Sequence, residues 1–202
     1  MDIENEFNTR GKILRAAAKM FSERGYDRVT IREIAKAVGI NAASIYYHFP
    51  SKEGILRSLY KFYTDERSKE NLDLNELLRF SKTEPPHEVL MKSEFHYDME
   101  IREFLDHILV TATRGICADD SESEHFIRDN IFDNIRSILK PLLERMIELG
   151  KIKPFDIDTF LRVLSYYCFG AAALNSSSLR QGIPEYQAGM SLLYSLIIPT
   201  GK

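Results

Sequence analysis

Between residues 30 and 52 the sequence reads TIREIAKAVGINAASIYYHFPSK, and its side chains suit the recognition of a surface better than the making or breaking of bonds. Small residues come first: Asn41, Ala42, Ala43 and Ser44 open a short helical pattern, where little bulk allows close approach to base edges in a major groove. Tyr46, Tyr47 and His48 follow, with hydroxyl and imidazole groups of a length to reach phosphate oxygens. Pro50 ends the pattern. Ser51 can then cap another helix whose first turn holds Lys52, and an ammonium at that corner suits a phosphate.

These groups need a frame, and the same stretch encodes it. Thr30 and Glu33 have capping-box spacing, in which each side chain satisfies an orphaned backbone N–H. Ile31, Ile34, Ala35 and Val38 then fall on one stripe and leave Arg32 and Lys36 outward. Gly39 stops this helix because it takes the left-handed conformation without a Cβ penalty, and Asn41 is placed to start the next. In that second helix, from about Ala42 to Phe49, Ile45 and Phe49 point to a core. A preceding helix, about Asn8 to Arg24, supplies Ile13, Ala17, Met20 and Phe21 and ends at Gly25. Arg10, Lys12 and Arg15 near its start suit either phosphate or plain solvation.

With the helix before it, this stretch closely resembles the DNA-binding domain of TetR-type transcriptional regulators, over roughly Asn8 to Tyr60. SIYYHFPSKEGIL, at Ser44 to Leu56, is the specific part, since the tyrosine pair, the histidine, the aromatic and the lysine occur together at fixed spacing. The resemblance implies phosphate contacts for Tyr47, His48 and Lys52, with Thr30 and Asn41 to Ser44 at the interface. It also implies a base contact for Arg32, whose guanidinium fits guanine O6 and N7. Plainer readings stand beside these. His48 can cap its helix, Arg32 can form an ion pair, and Tyr46 can either touch DNA or pack beneath the helix.

Charge agrees with this reading. Asn8 to Lys61 carries eleven Lys and Arg against four Asp and Glu, whereas the remaining chain carries sixteen against twenty-six. A basic quarter on an acidic protein is the electrostatic footprint of nucleic-acid binding. The total of −3 conceals it.

The rest of the 202-residue chain alternates helical apolar spacing with breaks and shows no strand alternation, so the expectation is an all-α fold of about nine helices. After Lys52, the pattern Ile55, Leu56, Leu59, Phe62 and Tyr63 continues as a helix, to which the resemblance gives a linking role to about residue 60. Pro85-Pro86 and the loop ADDSESE are breaks, with helices over Glu88 to Cys117 and Glu124 to Leu149. Asp156 caps the next helix, to about Arg180, and Gly182 and Pro184 introduce the last. Residues 1–52 form the expected DNA-binding domain and 53–202 a larger helical domain. Phe160 to Leu174 is apolar nearly all round, so one face fills a core and another suits a partner subunit. Phe160, Leu164, Gly170, Ala171 and Leu174, with Tyr186, Met190, Leu193 and Ile197, are the expected dimer contacts. TetR-type regulators dimerise through their last two long helices, and two reading helices about 34 to 36 Å apart would engage successive major grooves of a palindrome.

The same resemblance implies a small-molecule effector in the second domain. Candidate linings are Phe95, Tyr97, Phe104, His107, Thr111, Tyr166, Tyr167 and Asn175, for each of which core packing is the plainer role. Their aromatic character suits an apolar or aromatic ligand, and Arg114 would matter for an anion. A repressor released by its effector is the expected function; the alternative is an effector-independent architectural or division-linked DNA-binding factor. Cys117, Cys168, His96 and His107 have no spacing that ties a nucleophile to a base or holds a metal, so neither enzyme, metal nor cofactor is expected. Both cysteines read as reduced packing residues rather than redox sensors. No run approaches the roughly 18 apolar residues of a membrane span, and the acidic start MDIENEF is unlike a signal peptide, so the cytoplasm is the expected compartment.

Overall fold

A computed structural model describes residues 9–69, 74–92, 99–116, 118, 120–174 and 183–198. Their regular secondary structure is all helical, with α1 (Thr9–Arg24), α2 (Ile31–Val38), α3 (Ala42–His48), α4 (Lys52–Lys69), α5 (Leu74–Thr83) and α6 (Pro86–Lys92). Then come α7 (Met99–Ile116), α8 (Ser121–Ile127), a π-helical turn (Arg128–Asp133), α9 (Asn134–Glu148), α10 (Ile157–Leu174) and α11 (Ile183–Ser195). The all-α expectation holds, and among the described residues the helical segments outnumber the expected nine or so. The stretch read as one helix from Glu88 contains two, α6 and α7, and a π-helical turn separates α8 from α9. Among the described residues no helix is long and apolar enough to cross a membrane.

Packing divides the chain into two compact units, Met1–Arg67 with Asp98–Phe126, and Ser68–Tyr97 with Ile127–Lys202. The expected cut at residue 52 separates parts by role; packing instead groups α4, α7 and α8 with α1 to α3. Aromatic contacts show why. Tyr60 of α4 stacks on Phe126 with ring centroids 4.2 Å apart, and Phe62 meets Phe104 of α7 at 5.0 Å. Ser22 of α1 bonds the His107 ring of α7 at 2.8 Å.

In the first unit the stripes read from the sequence are buried: Ile13, Ala17 and Phe21 on α1, Ile34 and Ala35 on α2, Ile45 on α3, Phe49 after it, and Ile55, Leu56 and Leu59 on α4. Removing a large aliphatic or phenyl side chain from water contributes about 1.5–3 kcal/mol, so this set holds in place α2 and α3, of eight and seven residues, which could not persist separately. The second unit has its own core, in which Leu77 of α5 and Leu90 of α6 meet Leu142 and Met146 of α9, Leu161 and Leu164 of α10, and Met190 and Tyr194 of α11. Asp156 caps α10, its carboxylate accepting from the Thr159 N–H at 3.0 Å and the Thr159 hydroxyl at 2.7 Å.

Candidate nucleic-acid interface

The caps that hold α2 and α3 are formed as their sequence requires. Thr30 Oγ1 accepts from the Glu33 N–H at 3.3 Å while Glu33 Oε2 accepts from the Thr30 N–H at 2.8 Å, completing the capping box. Arg24 from the end of α1 donates to Glu33 Oε1 at 2.6 Å. That bond, with those from Thr30, holds the Glu33 carboxyl well below the usual range, at about 2. Gly39, at φ 77°, ends α2 in the left-handed conformation. Asn41 caps α3: its Oδ1 accepts from the Ser44 N–H at 2.8 Å and from the Ser44 hydroxyl at 3.0 Å.

With Ile45 and Phe49 buried, the rest of α3 is presented outward. Tyr47 is 87% exposed and Tyr46 56%, which removes the reading of Tyr46 as a packing residue beneath the helix. Ala43 is exposed and Ala42 half-buried. His48 is half-buried with its ring edge-on to Tyr47, centroids 5.2 Å apart. Arg32 is exposed and, among the described residues, has no ion-pair partner, so its alternative as half of a salt bridge is not formed. Thr30, Arg32, Asn41 to Ser44, Tyr46 and Tyr47 thus belong to two short helices fixed by one core and by their own caps.

Lys52 is placed differently from the sequence expectation. Its Nζ donates to the carbonyls of Tyr26 at 3.0 Å and Val29 at 3.1 Å, and lies 4.1 Å from the centroid of the Tyr26 ring. The start of α4 is therefore tied to the loop between α1 and α2. Two of the three ammonium donors are engaged inside the protein. Arg10 has a similar inward role, donating to Ser58 Oγ at 3.3 Å with its guanidinium 4.7 Å from the Phe49 ring centroid. Arg15 lies 5.5 Å from the Phe104 ring, and Lys12 is exposed.

Residues 13–59 match the family described as bacterial regulatory proteins, tetR family. These residues form a TetR-family DNA-binding domain. The uncharacterized HTH-type transcriptional regulator YerO of Bacillus subtilis is 29% identical over 115 residues, 57% of this chain and 39% of that protein. IcaR of Staphylococcus aureus, the HTH-type negative transcriptional regulator of the biofilm operon icaADBC, is 39% identical over 77 residues, 34% of this chain and 41% of IcaR. The alignments thus span about two fifths of the length of these relatives. Among solved structures, a gamma-butyrolactone receptor (ArpA-like protein) has a TM-score of 0.63 at 21% identity, covering 95% of this chain and 89% of that one. PfmR from Thermus thermophilus has a TM-score of 0.61 at 23% identity, covering 91% and 97%. At such identities the likeness establishes the fold: a TetR-type helix-turn-helix domain followed by a helical domain.

Of the residues named for an effector pocket, those described are divided between the two units. Phe104 is buried against Phe62, His107 bonds Ser22, and the Thr111 hydroxyl donates to the His107 carbonyl at 2.8 Å, all in the first unit. Thr111 and Arg114 line a cleft there. Tyr166 and Tyr167 belong to the second unit. Tyr166 is exposed and set edge-on to Phe132 at 5.4 Å, and Tyr167 packs over Gly189, where any Cβ would collide with the phenol. Phe95, His96, Tyr97 and Asn175 lie outside the described residues, as do Cys117 and the side chains of Ala171, Leu174 and Tyr186.

The expected dimer contacts also need correction. Phe160, Leu164, Met190 and Ile197 are buried in the second unit's own core, and Leu193 packs against it. Gly170 is half-buried. Among the described residues, the large apolar side chains left exposed on these two helices are instead Val163 and Tyr166 on α10, and Leu192 on α11 with Leu196 just beyond it. Leu192 and Leu196 are 64% and 71% exposed. Sequence reasoning also misses Asp120, which accepts from the N–H groups of Glu122 at 3.3 Å and Ser123 at 3.1 Å and so starts α8 three residues before the expected Glu124. Its signal is present, because an Asp three residues before a Ser is a cap pattern even inside a polar run.

Proposed function

We propose that this TetR-family regulator acts as a homodimer, occupies a palindromic operator as a repressor, and is released by a small-molecule effector. One observation supports the DNA-reading part above others. The outward surface of α3, with Ala43, Tyr46 and Tyr47, and the neighbouring Arg32 are left exposed while caps and core fix the helices that carry them. Side chains immobilised at the backbone but unengaged at their tips suit contact with phosphates and base edges. Arg32 carries a bidentate contact to guanine; Tyr46, Tyr47 and His48 position the helix on the backbone. Two alanines at the start of α3 offer methyl contacts to thymine, so base reading is lean in hydrogen bonds. Val163, Tyr166, Leu192 and Leu196 are the apolar contacts between protomers, since a large exposed apolar set on two adjacent helices fits a second copy. Repression by IcaR and the ligand named for the gamma-butyrolactone receptor make a ligand-released repressor the consistent reading.

Selection of duplexes from a random pool at stated salt is the test. A palindromic consensus, relaxed at one position by Arg32→Ala, is the expected result. Tight binding without any consensus would overturn sequence-specific regulation in favour of an architectural role.

A further inference from the structure

Within the first unit, a cleft of about 570 Å³ lies between the loop joining α1 to α2, the first half of α4, and the end of α7 with the residues after it. That size falls within the roughly 300–1,000 Å³ of small-molecule sites. Leu56 and the buried Tyr60 from α4 give it an apolar side, and Tyr26 and Thr111 add rings and methyls. Burial raises the pKa of both phenols above the ordinary value, so each is a neutral hydroxyl at physiological pH.

Among the described residues, seven charged side chains line the cleft: three arginines, at 24, 28 and 114, and four acids, at 27, 53, 120 and 122. Most are engaged elsewhere. Arg24 donates to Glu33 and to the Arg28 carbonyl. Glu53 and Glu122 share the guanidinium of Arg57, at 2.5 and 2.9 Å. Asp120 caps α8 and accepts from the Ser123 hydroxyl, whose oxygen also meets the Tyr60 hydroxyl at 2.7 Å. Among the described residues, Arg28, Arg114 and Asp27 have no such partner. Among the described residues, two unengaged guanidiniums against one unengaged carboxylate leave a single positive charge to be matched.

The geometry points to a binding site for a small organic monoanion, a carboxylate on an apolar body, with Arg28 and Arg114 holding the carboxylate and Leu56 and Tyr60 covering the body. A guanidinium is the side chain best formed for a carboxylate, through paired N–H donors. A dianion such as a phosphate monoester is disfavoured, because four carboxylates line the same cleft. The site would link the loop after α1 to the end of α7. Tyr26 in that loop is also the platform on which Lys52 rests, so an occupant touches the tie between α4 and the helices that read DNA. That consequence, and only that, rests on the effector reading above.

Isothermal titration of the full chain with 2-naphthoate, 2-naphthamide and 2-naphthyl phosphate tests the site. Arg114 is exposed and unpartnered, so Arg114→Gln should melt at the wild-type temperature. Naphthoate should bind, and the amide, the phosphate and naphthoate on Arg114→Gln or Arg28→Gln should each bind at least tenfold more weakly. Equal affinity for acid and amide, undiminished affinity in both variants, or no heat with naphthoate would overturn the assignment. Adding naphthoate to the complex with a selected duplex separates the two readings. Release of DNA supports both, whereas binding of naphthoate without release leaves the cleft assigned and removes its effector role.

Discussion

Replacing Lys52 by methionine distinguishes a residue that grips DNA from one that holds the protein together. Methionine keeps most of the stem's apolar contact and removes the ammonium. In the structure that ammonium makes two hydrogen bonds, to the Tyr26 and Val29 carbonyls, and lies over the Tyr26 ring. Hydrogen bonds to a charged group contribute about 1.5–3 kcal/mol each when well buried, and a cation over an exposed ring about 0.5–1 kcal/mol. Lys52 is half-buried and water can replace it at the carbonyls, so the lower ends apply, two bonds at about 1.5 kcal/mol and the ring at about 0.5 kcal/mol, and the expected total is about 3.5 kcal/mol. Urea denaturation followed by tyrosine fluorescence should show that loss. DNA affinity should fall as well, but the slope of its logarithm against salt should stay as in wild type, because no phosphate contact is removed. A phosphate-gripping lysine gives the opposite pair: unchanged stability, and a slope lower by roughly 0.9. Observing that pair would refute the structural role argued for Lys52.

Three further outcomes are expected. Gly115→Ala places a Cβ against Ser123 Oγ, which is held between Tyr60 and Asp120, so it should cost about 2–4 kcal/mol from overpacking and a displaced buried hydroxyl. In a Ser123→Gly background the same substitution should cost almost nothing, and equal losses in both backgrounds by chemical denaturation would disprove the contact. Leu192→Glu with Leu196→Glu should weaken self-association at least about 100-fold by sedimentation while leaving the helical signal intact, whereas Met190→Glu should unfold the second unit because its side chain is buried. Glu33 gives a pH signature: its carboxyl is ionised in the folded state down to about 2, against 4.5 ordinarily. Its contribution is therefore complete above about 4.5 and disappears as pH falls through 2. The stability difference between wild type and Glu33→Gln should vanish over that window, and a difference independent of pH would contradict the Arg24 and Thr30 bonds.

Local chemistry makes the reading unit legible. Thr30, Glu33, Gly39 and Asn41 act on backbone groups within four residues, so their spacing alone determines the caps, and Ile34, Ile45 and Phe49 follow from helical period. Lys52 misleads because its carbonyl partners lie 23 and 26 residues back in the chain, where no local pattern announces them. α10 poses a different difficulty. An all-round apolar helix shows that two faces are covered but not which one the core takes, so Phe160 and Leu164 are expected outward while Val163 and Tyr166 hold that position. Asp120 is absorbed into a polar loop, since a cap among many acids and serines has little contrast. The cleft shows in the sequence only through Thr111 and Arg114, because the loop of Tyr26 and Arg28 meets α7 across more than eighty residues of chain.

The cap between Asn41 and Ser44 separates two tasks along a helix of seven residues. Asn41 and Ser44 engage one another, Ile45 anchors, and the tyrosines reach outward, which leaves Ala42 and Ala43 with no structural duty beyond being small. An alanine codon is one nucleotide from those for serine, threonine, valine, glycine and aspartate. Each such change would alter the surface of α3 without touching the Asn41–Ser44 cap or the buried Ile45. On the DNA-reading role proposed for α3, its sequence preference would be open to single mutations at these two positions while the cap and the anchor keep the helix folded.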